Sequence, residues 1–354
     1  VKMEEIKLLN NAFKIYNLNE TPELEKNILN YISTRLVANR ENFEKIIDIL
    51  KSNITFDDII KAFDLANSEE EYYKKSSGLK QGKDYYSGEY LVPIGNIVVE
   101  TNNVLEVIKN FVKGIKSRNT ITISQTEYSE ISLSNMILII FVEALAKFNI
   151  SRNTLMILPY EECFQEEFDE VIEIENDKTY IKQKEFSKEY IIYNQDNSFN
   201  REIEQEKQKL KERGIDFQIF TDSLEVALEK INTLRPVAVS IFTKDRKIAY
   251  EFINLVKAQN VFVNTSLLNS EELSKKVNEL YYKKKIMYPL AKEFNFEEYY
   301  KQYTDKEKLN NIPENTTKTD ISKQEENQPT ALVEFVNPWY QKILEKIKNL
   351  FYRK

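Results

Sequence analysis

Apolar and polar residues follow a helical spacing over the first part of the chain, from residue 4 to about residue 68. The stretch ELEKNILNYISTRLVANRENFEKIIDILKSN places apolar side chains at i, i+3, i+4 and i+7, with polar residues between them. This is the period of a helix with one apolar face. We therefore predict several helices here that pack around a core.

Between residues 90 and 266 the pattern changes, and short apolar runs alternate with amphipathic segments. The runs that predict strands are YLVPIGNIVVE, NTITIS, NTLMILP, EYIIYN, DFQIF and VAVSIF. The segments at 103–116, 129–148 and 201–213 have helical spacing instead. Strands that alternate with helices are typical of an α/β fold with a parallel, doubly wound sheet.

The clearest unit of this kind is residues 237–266. The strand-like run VAVSIF is followed by the polar turn TKD, by apolar positions at helical spacing, and then by NVFVNTS. A strand, a crossover helix and a strand within about thirty residues form a parallel βαβ unit. The segment that follows, SLLNSEELSKKVNELYYKKK, is predicted to continue as a helix.

Composition narrows the class of protein. Hydrophobic residues make up 42% of the chain, which favours a folded globular protein, and the net charge of −7 gives no basic field for nucleic acid. The single cysteine, Cys163, excludes an internal disulfide framework and predicts a reducing, cytoplasmic compartment. The N-terminal stretch is charged and predicts no signal peptide, and the most apolar run, MILIIFVEALAKF, is too short to span a bilayer.

Two scarce residue types restrict the chemistry. The chain has no histidine, which excludes Ser-His-Asp and Cys-His arrangements and most transition-metal sites. It has six glycines, none of them between Gly114 and Gly214, so that interval lacks the residue that lets backbone approach phosphates closely. The acidic segment at 161–177 lacks the glycine turn of a calcium loop, and we predict a solvated face there and no metal site.

Three stretches resemble the aldehyde dehydrogenase superfamily, and within it most closely the gamma-glutamyl phosphate reductases. They are YLVPIGNIVVETNN, IKSRNTITISQTEYSEISLSNMILIIFVEAL, and FTDSLEVALEKIN with the later AVSIFTKDRKIAYEFINLVKAQNVFVNTS. The resemblance covers roughly residues 27–266. It implies a trimmed aldehyde dehydrogenase-like α/β fold.

The resemblance also implies where functional residues would lie. Ser124, Gln125 and Ser129 match the stretch that meets the nucleotide, and the resemblance implies that their side chains would bond a ribose. As residues at a strand end, all three also suit turns and helix caps. Asn264 matches an asparagine on the substrate side of the active site, and its other interpretation is an asparagine that ends a strand and bonds local backbone.

Catalytic residues are missing from the places where the resemblance implies them. The nucleophile is expected just before EYIIYN, near Phe186 and Ser187, and no cysteine lies there. Cys163 lies far upstream of that position, among glutamates whose charges raise a thiol pKa. We therefore expect a catalytically inactive aldehyde dehydrogenase-like protein with a binding, assembly or regulatory role and no cofactor. The alternative is a working semialdehyde or acyl-phosphate reductase that uses NADP or NAD.

Composition predicts the division of the chain. We expect a helical N-terminus with a reduced nucleotide-binding-like domain at 1–185, a remnant of the catalytic-type domain at 186–303, a polar linker at 304–330 and an amphipathic helix at 331–354. The apolar face of that helix is formed by Trp339, Ile343, Ile347, Leu350 and Phe351. Basic residues surround it, so three covers stay open: the protein's own surface or a sister subunit, a partner protein, or an anionic membrane interface.

Overall fold

The computed structural model describes residues 3–69, 76–82, 85–126, 128–160, 163, 165–175, 178–269 and 280–289. The predicted linker at 304–330 and the predicted amphipathic helix with Trp339, Ile343, Ile347, Leu350 and Phe351 lie outside these residues. Over the described ranges, no helix combines the length and the apolarity needed to cross a membrane.

Helices fill the N-terminal part of the chain and then alternate with strands. Their bounds are α1 (Met3–Asn17), α2 (Leu24–Ala38), α3 (Arg40–Leu50), α4 (Phe56–Ser68), α5 (Val104–Ser117), α6 (Tyr128–Lys147), α7 (Asn200–Glu212), α8 (Leu224–Leu234) and α9 (Arg246–Leu255). The first four confirm the helical prediction for the start of the chain. The best-defined cap is that of α4, where Thr55 and Asp58 form a reciprocal capping box.

The strands form two sheets. Their bounds are β1 (Ser76–Gln81), β2 (Tyr85–Pro93), β3 (Asn96–Glu100), β4 (Thr120–Gln125), β5 (Leu155–Pro159), β6 (Glu170–Glu175), β7 (Lys178–Gln183), β8 (Ser187–Asn194), β9 (Phe217–Phe220), β10 (Pro236–Phe242), β11 (Asn260–Val263) and β12 (Tyr281–Pro289). One sheet has the order β5-β4-β3-β6-β7 and the other β1-β2-β12-β11-β10-β8-β9. The fold is therefore α/β with mostly parallel sheets, as the alternation predicts.

The five-stranded sheet is covered on both faces. Helices α2 to α6 pack against one face, on side chains such as Ile97, Ile121 and Ile157. The other face packs against Leu9 of α1 through Val98 and Leu158. The strands β3 to β6 are parallel and β7 returns antiparallel, so the sheet ends in a hairpin.

The seven-stranded sheet contains the βαβ unit of residues 237–266. Strands β10 and β11 are parallel with Ala238 opposite Asn260, and α9 connects them. Helices α8 and α9 cover one face and α7 the other, which is the doubly wound arrangement. The predicted strands NTITIS, NTLMILP and NVFVNTS are confirmed as buried, although the first two belong to the other sheet.

Two parts of the seven-stranded sheet differ from the prediction. The predicted helix of residues 266–285 is wrong at its end, because Tyr281 and the residues after it form β12, which lies between β11 and β2. Lys284 in this strand is buried, and its Nζ donates to the carbonyls of Ile253 and Val256 at the end of α9. The polar stretch before residue 90 contains the antiparallel hairpin β1-β2.

Candidate functional site

The carboxyl ends of β3 and β6 meet where the chain order of the five-stranded sheet reverses. Strands β4 and β5 lie on one side of β3, and β6 and β7 lie on the other. In open α/β sheets, ligands bind outside the strand ends at such a reversal. Here Glu100 of β3 and Glu173 of β6 lie directly opposite each other.

These two carboxylates make the reversal point acidic. Burial raises the pKa of Glu100, the charge of Glu173 adds to this shift, and the hydrogen bond that Gln165 donates to Glu100 at 2.6 Å opposes it. The adjoining helix α5 is capped internally, since the Asn103 side chain accepts from the backbone N–H of Leu105. Within the described residues, no group of three or more Asp, Glu, Cys or His side chains is placed to hold a metal ion.

The residues matched to the nucleotide stretch lie beside this point, at the end of β4. Ser124 is 2% exposed and Gln125 1% exposed. The carboxamide oxygen and nitrogen of Gln125, Oε1 and Nε2, are buried and have no hydrogen-bond partner among the described residues. Ser129 lies in the first turn of α6. The two side chains at the strand end are thus enclosed by the fold.

Cys163 lies next to Ser124 and Glu100. Burial raises the pKa of its thiol to about 11, and the charge of Glu100 contributes to the shift in the same direction. The sequence predicted this direction but assigned it to the glutamates next to Cys163 along the chain. The larger cause is burial against the α1 side of the sheet, where Cys163 packs beside the cluster of Leu9, Val98 and Leu158.

We expect Cys163 to be alkylated slowly. With a thiol pKa of about 11, roughly one thiol in a thousand is ionised at pH 8, against about a quarter for an ordinary cysteine. Iodoacetamide should label the folded protein at least a hundredfold more slowly than the urea-unfolded chain, as followed by intact mass. Labelling of both forms at similar rates would contradict the burial of this thiol.

Asn264 is held by the backbone at the end of β10. Its Oδ1 accepts from the N–H of Thr243 at 2.9 Å, and its Nδ2 donates to the carbonyl of Thr243 at 2.8 Å. Its φ of 49° lies in the left-handed region, which asparagine tolerates better than most residues. The carboxamide therefore joins the ends of two parallel strands.

The position expected for a nucleophile is packed with an aromatic side chain. The ring of Phe186 lies under the guanidinium of Arg235, with 4.8 Å between the ring centroid and Cζ of the guanidinium. The centroids of the Phe186 and Tyr282 rings are 5.1 Å apart. The backbone N–H of Ser187 donates to the carbonyl of Arg235 at 2.8 Å. The start of β8 is thus part of the packing between the two sheets.

A buried ion cluster lies beside Phe186. The Asp169 carboxylate accepts from Nη1 of Arg235 at 2.9 Å, from Nζ of Lys257, and from the backbone N–H of Asn96 at 2.8 Å. Arg235 and Lys257 belong to loops of the seven-stranded sheet, whereas Asp169 immediately precedes β6. This cluster therefore ties the two sheets together.

The predicted solvated face at 161–177 is wrong for two of its acids. Asp169 is 6% exposed and Glu170 is fully buried. The alternating EVIEIE that begins at Glu170 is the local signal of a strand, and it indicates that the start of this segment enters the sheet. The partners of Asp169 lie 66 and 88 residues away, so no local pattern predicts them.

The structure is similar to solved members of the superfamily that the sequence resembles. It is similar to the gamma-glutamyl phosphate reductase of Thermotoga maritima, with 14% identity over 80% of this chain and 97% of that chain and a TM-score of 0.44. The Saccharomyces cerevisiae enzyme of the same name gives 16% identity, 75% and 92% coverage and a TM-score of 0.42. A Methanocaldococcus jannaschii glyceraldehyde-3-phosphate dehydrogenase, solved with NADP, gives 14% identity over 80% of this chain and 93% of that chain and a TM-score of 0.40.

No protein-family model and no curated protein sequence matches the chain. These three structural similarities have TM-scores below 0.5, so they carry no conclusion about activity, substrate or cofactor.

Proposed function

We propose that this protein is a binding, assembly or regulatory protein that does not oxidise or reduce aldehydes. The observation that carries this proposal is the packing at the start of β8, where the ring of Phe186 fills the place that the sequence resemblance assigns to a nucleophile. Covalent hydride-transfer chemistry on an aldehyde needs a thiolate there. The thiol of Cys163 lies beside the other sheet, in the connection between β5 and β6, and its raised pKa keeps it protonated at neutral pH.

The absence of a nucleotide cofactor is part of the proposal. A pyrophosphate binds where backbone N–H groups and a glycine turn receive its charge. At the reversal point of the five-stranded sheet, Glu100 and Glu173 would repel that charge, and Asn103 already caps α5. The burial of Ser124 and Gln125 also leaves little surface for a ribose.

Cofactor binding and turnover test this proposal together. We expect no change in the thermal unfolding midpoint with NADPH, NADP, NADH or NAD. No absorbance change at 340 nm is expected with glutamate semialdehyde or simple aldehydes. The Cys163→Ser variant should behave like the unaltered chain in both assays. Turnover that Cys163→Ser abolishes would establish the alternative, an NAD(P)-dependent reductase with an unusual nucleophile.

The sequence beyond the described residues supports the assembly part of the proposal. Burial of the five apolar side chains of the 331–354 segment would contribute about 1.5–3 kcal/mol each, so a protein or lipid surface is expected to cover them. Removing the residues after Thr330 should change the oligomeric state or stability, measured by light scattering and thermal unfolding. Co-sedimentation with anionic vesicles identifies a lipid cover, and unchanged behaviour in all three measurements would contradict this role. A cytoplasmic location likewise stays a proposal.

A further inference from the structure

The seven-stranded sheet ends in a strand that carries none of the residues that usually protect a sheet edge. β9 (Phe217–Phe220) pairs with β8 on one side, and no described strand lies on its other side. An open edge presents unpaired N–H and C=O groups to other chains, and proteins protect such edges with lysines, prolines and bulges. The sequence of β9, FQIF, has no charge and no proline. Its backbone is therefore suited to accept another strand.

The three other edge strands among the described residues are protected. β7 carries the exposed Lys178 and Lys182 at the edge of the five-stranded sheet. At the opposite edge, β5 ends in Pro159, which has no N–H to donate. β1 carries the exposed Lys80 and a break in its register against β2. β9 thus differs from the other edges in its chemistry.

The side chains of β9 leave apolar surface uncovered beside this edge. Because side chains alternate along a strand, Phe217 and Ile219 lie on the same face. Phe217 is half-buried in the cluster that contains Leu210 of α7, whereas Ile219 is 37% exposed. Gln218 between them is exposed, and its Nε2 donates to Glu189 at 3.2 Å. A strand added beside β9 would cover Ile219.

The residues around β9 favour a second copy of the same strand as the partner. Antiparallel pairing about a two-fold axis places one residue opposite its own copy, and the registers that overlap most of β9 are centred on Gln218 or Ile219. The register centred on Gln218 places Phe217 opposite Ile219 of the second copy, which is a favourable aromatic and β-branched pair. The register centred on Ile219 would place Asp216 opposite Asp222 of the second copy, and like charges directly opposite are destabilising.

We propose that two copies of this chain pair through β9 in antiparallel orientation, with Gln218 on the two-fold axis, and join their seven-stranded sheets into one. The pairing uses the open edges of both copies, so the assembly closes as a dimer. One strand pair buries less surface than a permanent interface, so this dimer dissociates on dilution. The inference does not rest on the proposed function, since a working reductase could dimerise through the same edge.

Ile219→Lys tests the contact in the full chain. Lysine is tolerated in the monomer because Ile219 is exposed, but it would lie opposite Phe217 of the second copy. The variant should weaken the dimer by about tenfold or more, as measured by sedimentation across a range of protein concentrations. Tyr180→Lys is the matched control, since Tyr180 is 55% exposed in the edge strand β7, and it should dimerise as the unaltered chain does.

Cysteine cross-linking in a Cys163→Ser chain tests the register. Gln218→Cys brings two thiols directly opposite each other, with about 4.5–5.5 Å between the Cα atoms, which a disulfide can span. The two copies of Ile219→Cys would be diagonal neighbours about 7–8 Å apart, which is beyond that range. Oxidation with copper phenanthroline should therefore yield a disulfide-linked dimer with Gln218→Cys and little with Ile219→Cys.

Three results would overturn the proposal. They are an unaltered chain that is monomeric at all concentrations, an undiminished dimer in Ile219→Lys, and equal cross-linking of the two cysteine variants. A dimer that forms only when the residues after Thr330 are removed would also overturn it, because a segment of the same chain would then cover β9 in the full protein.

Discussion

Asp169→Asn is expected to lower the free energy of unfolding by about 3–5 kcal/mol. The substitution keeps the shape of the side chain but removes the negative charge that faces Arg235 and Lys257, whose side chains are 3% and 10% exposed. Arg235 and Lys257 would then lie in the joint between the sheets without the carboxylate that bonds both of them, and water cannot replace it without opening that joint. Urea unfolding followed by circular dichroism measures the loss.

Asp222→Asn provides the matched control for this substitution. Asp222 pairs with Lys230 at 2.8 Å, but the two side chains are 35% and 48% exposed. A surface pair of this kind contributes about 0–1 kcal/mol, so its loss should be barely measurable. If Asp169→Asn were no more destabilising than Asp222→Asn, the buried cluster would not be what holds the two sheets together.

The contribution of Asp169 should also depend on pH. Burial alone would raise the pKa of this carboxyl, but the charges of Lys257 and Arg235 outweigh burial and hold the pKa below its ordinary value. A carboxyl whose pKa is lowered by folding stabilises the protein above the unfolded pKa of about 3.9. That stabilisation is lost as the pH falls through the folded pKa. The difference between the unaltered chain and Asp169→Asn should therefore shrink in strong acid.

The βαβ units could be predicted because their signals are local. In residues 237–266 the strand, the capped turn and the amphipathic helix each occupy consecutive residues, and Asp245 caps α9 by accepting from the N–H groups of Lys247 and Ile248. The prediction of a helix over 266–285 was wrong at its end for the opposite reason, because the contacts that decide its structure are not local. The lysines of YYKKK are typical of a solvated helix face. Lys284 is nevertheless only 1% exposed, because its ammonium group donates hydrogen bonds to the carbonyls at the end of α9.

The residues of the candidate site also fall into those that the local sequence could place and those that it could not. The sequence placed Ser124 at a strand end and Phe186 just before a strand, and in the structure β4 ends at Gln125 and β8 begins at Ser187. It could not place Cys163 beside Ser124, since that contact depends on how the chain returns from β5 to β6 across the sheet. Nor could it pair Asp169 with Arg235, because a lone acid in an acidic run has no pattern that identifies a distant buried partner.

Gly95 lies against the same ion cluster. It lies between β2 and β3 with a φ of +131°, a conformation that residues with a side chain rarely adopt. Its N–H donates to Oδ1 of Asn119 at 2.8 Å, which fixes its position. A Cβ at this residue would lie 2.7 Å from Nζ of Lys257, 3.0 Å from Cγ of Asp169, and closer still to Oδ2 of that carboxylate.

Gly95→Ala should therefore destabilise the protein by about 2–5 kcal/mol, since about 1–2 kcal/mol of backbone strain adds to about 1–3 kcal/mol of overpacking against an ion pair that cannot move away. Gly214→Ala separates the two causes. Gly214 also has a positive φ, +66°, but no atom lies within 4 Å of a Cβ there, so only the strain of about 1–2 kcal/mol is expected. Urea unfolding of both variants measures the difference. Equal losses would mean that the backbone conformation alone, and not the approach to Asp169 and Lys257, requires glycine at residue 95.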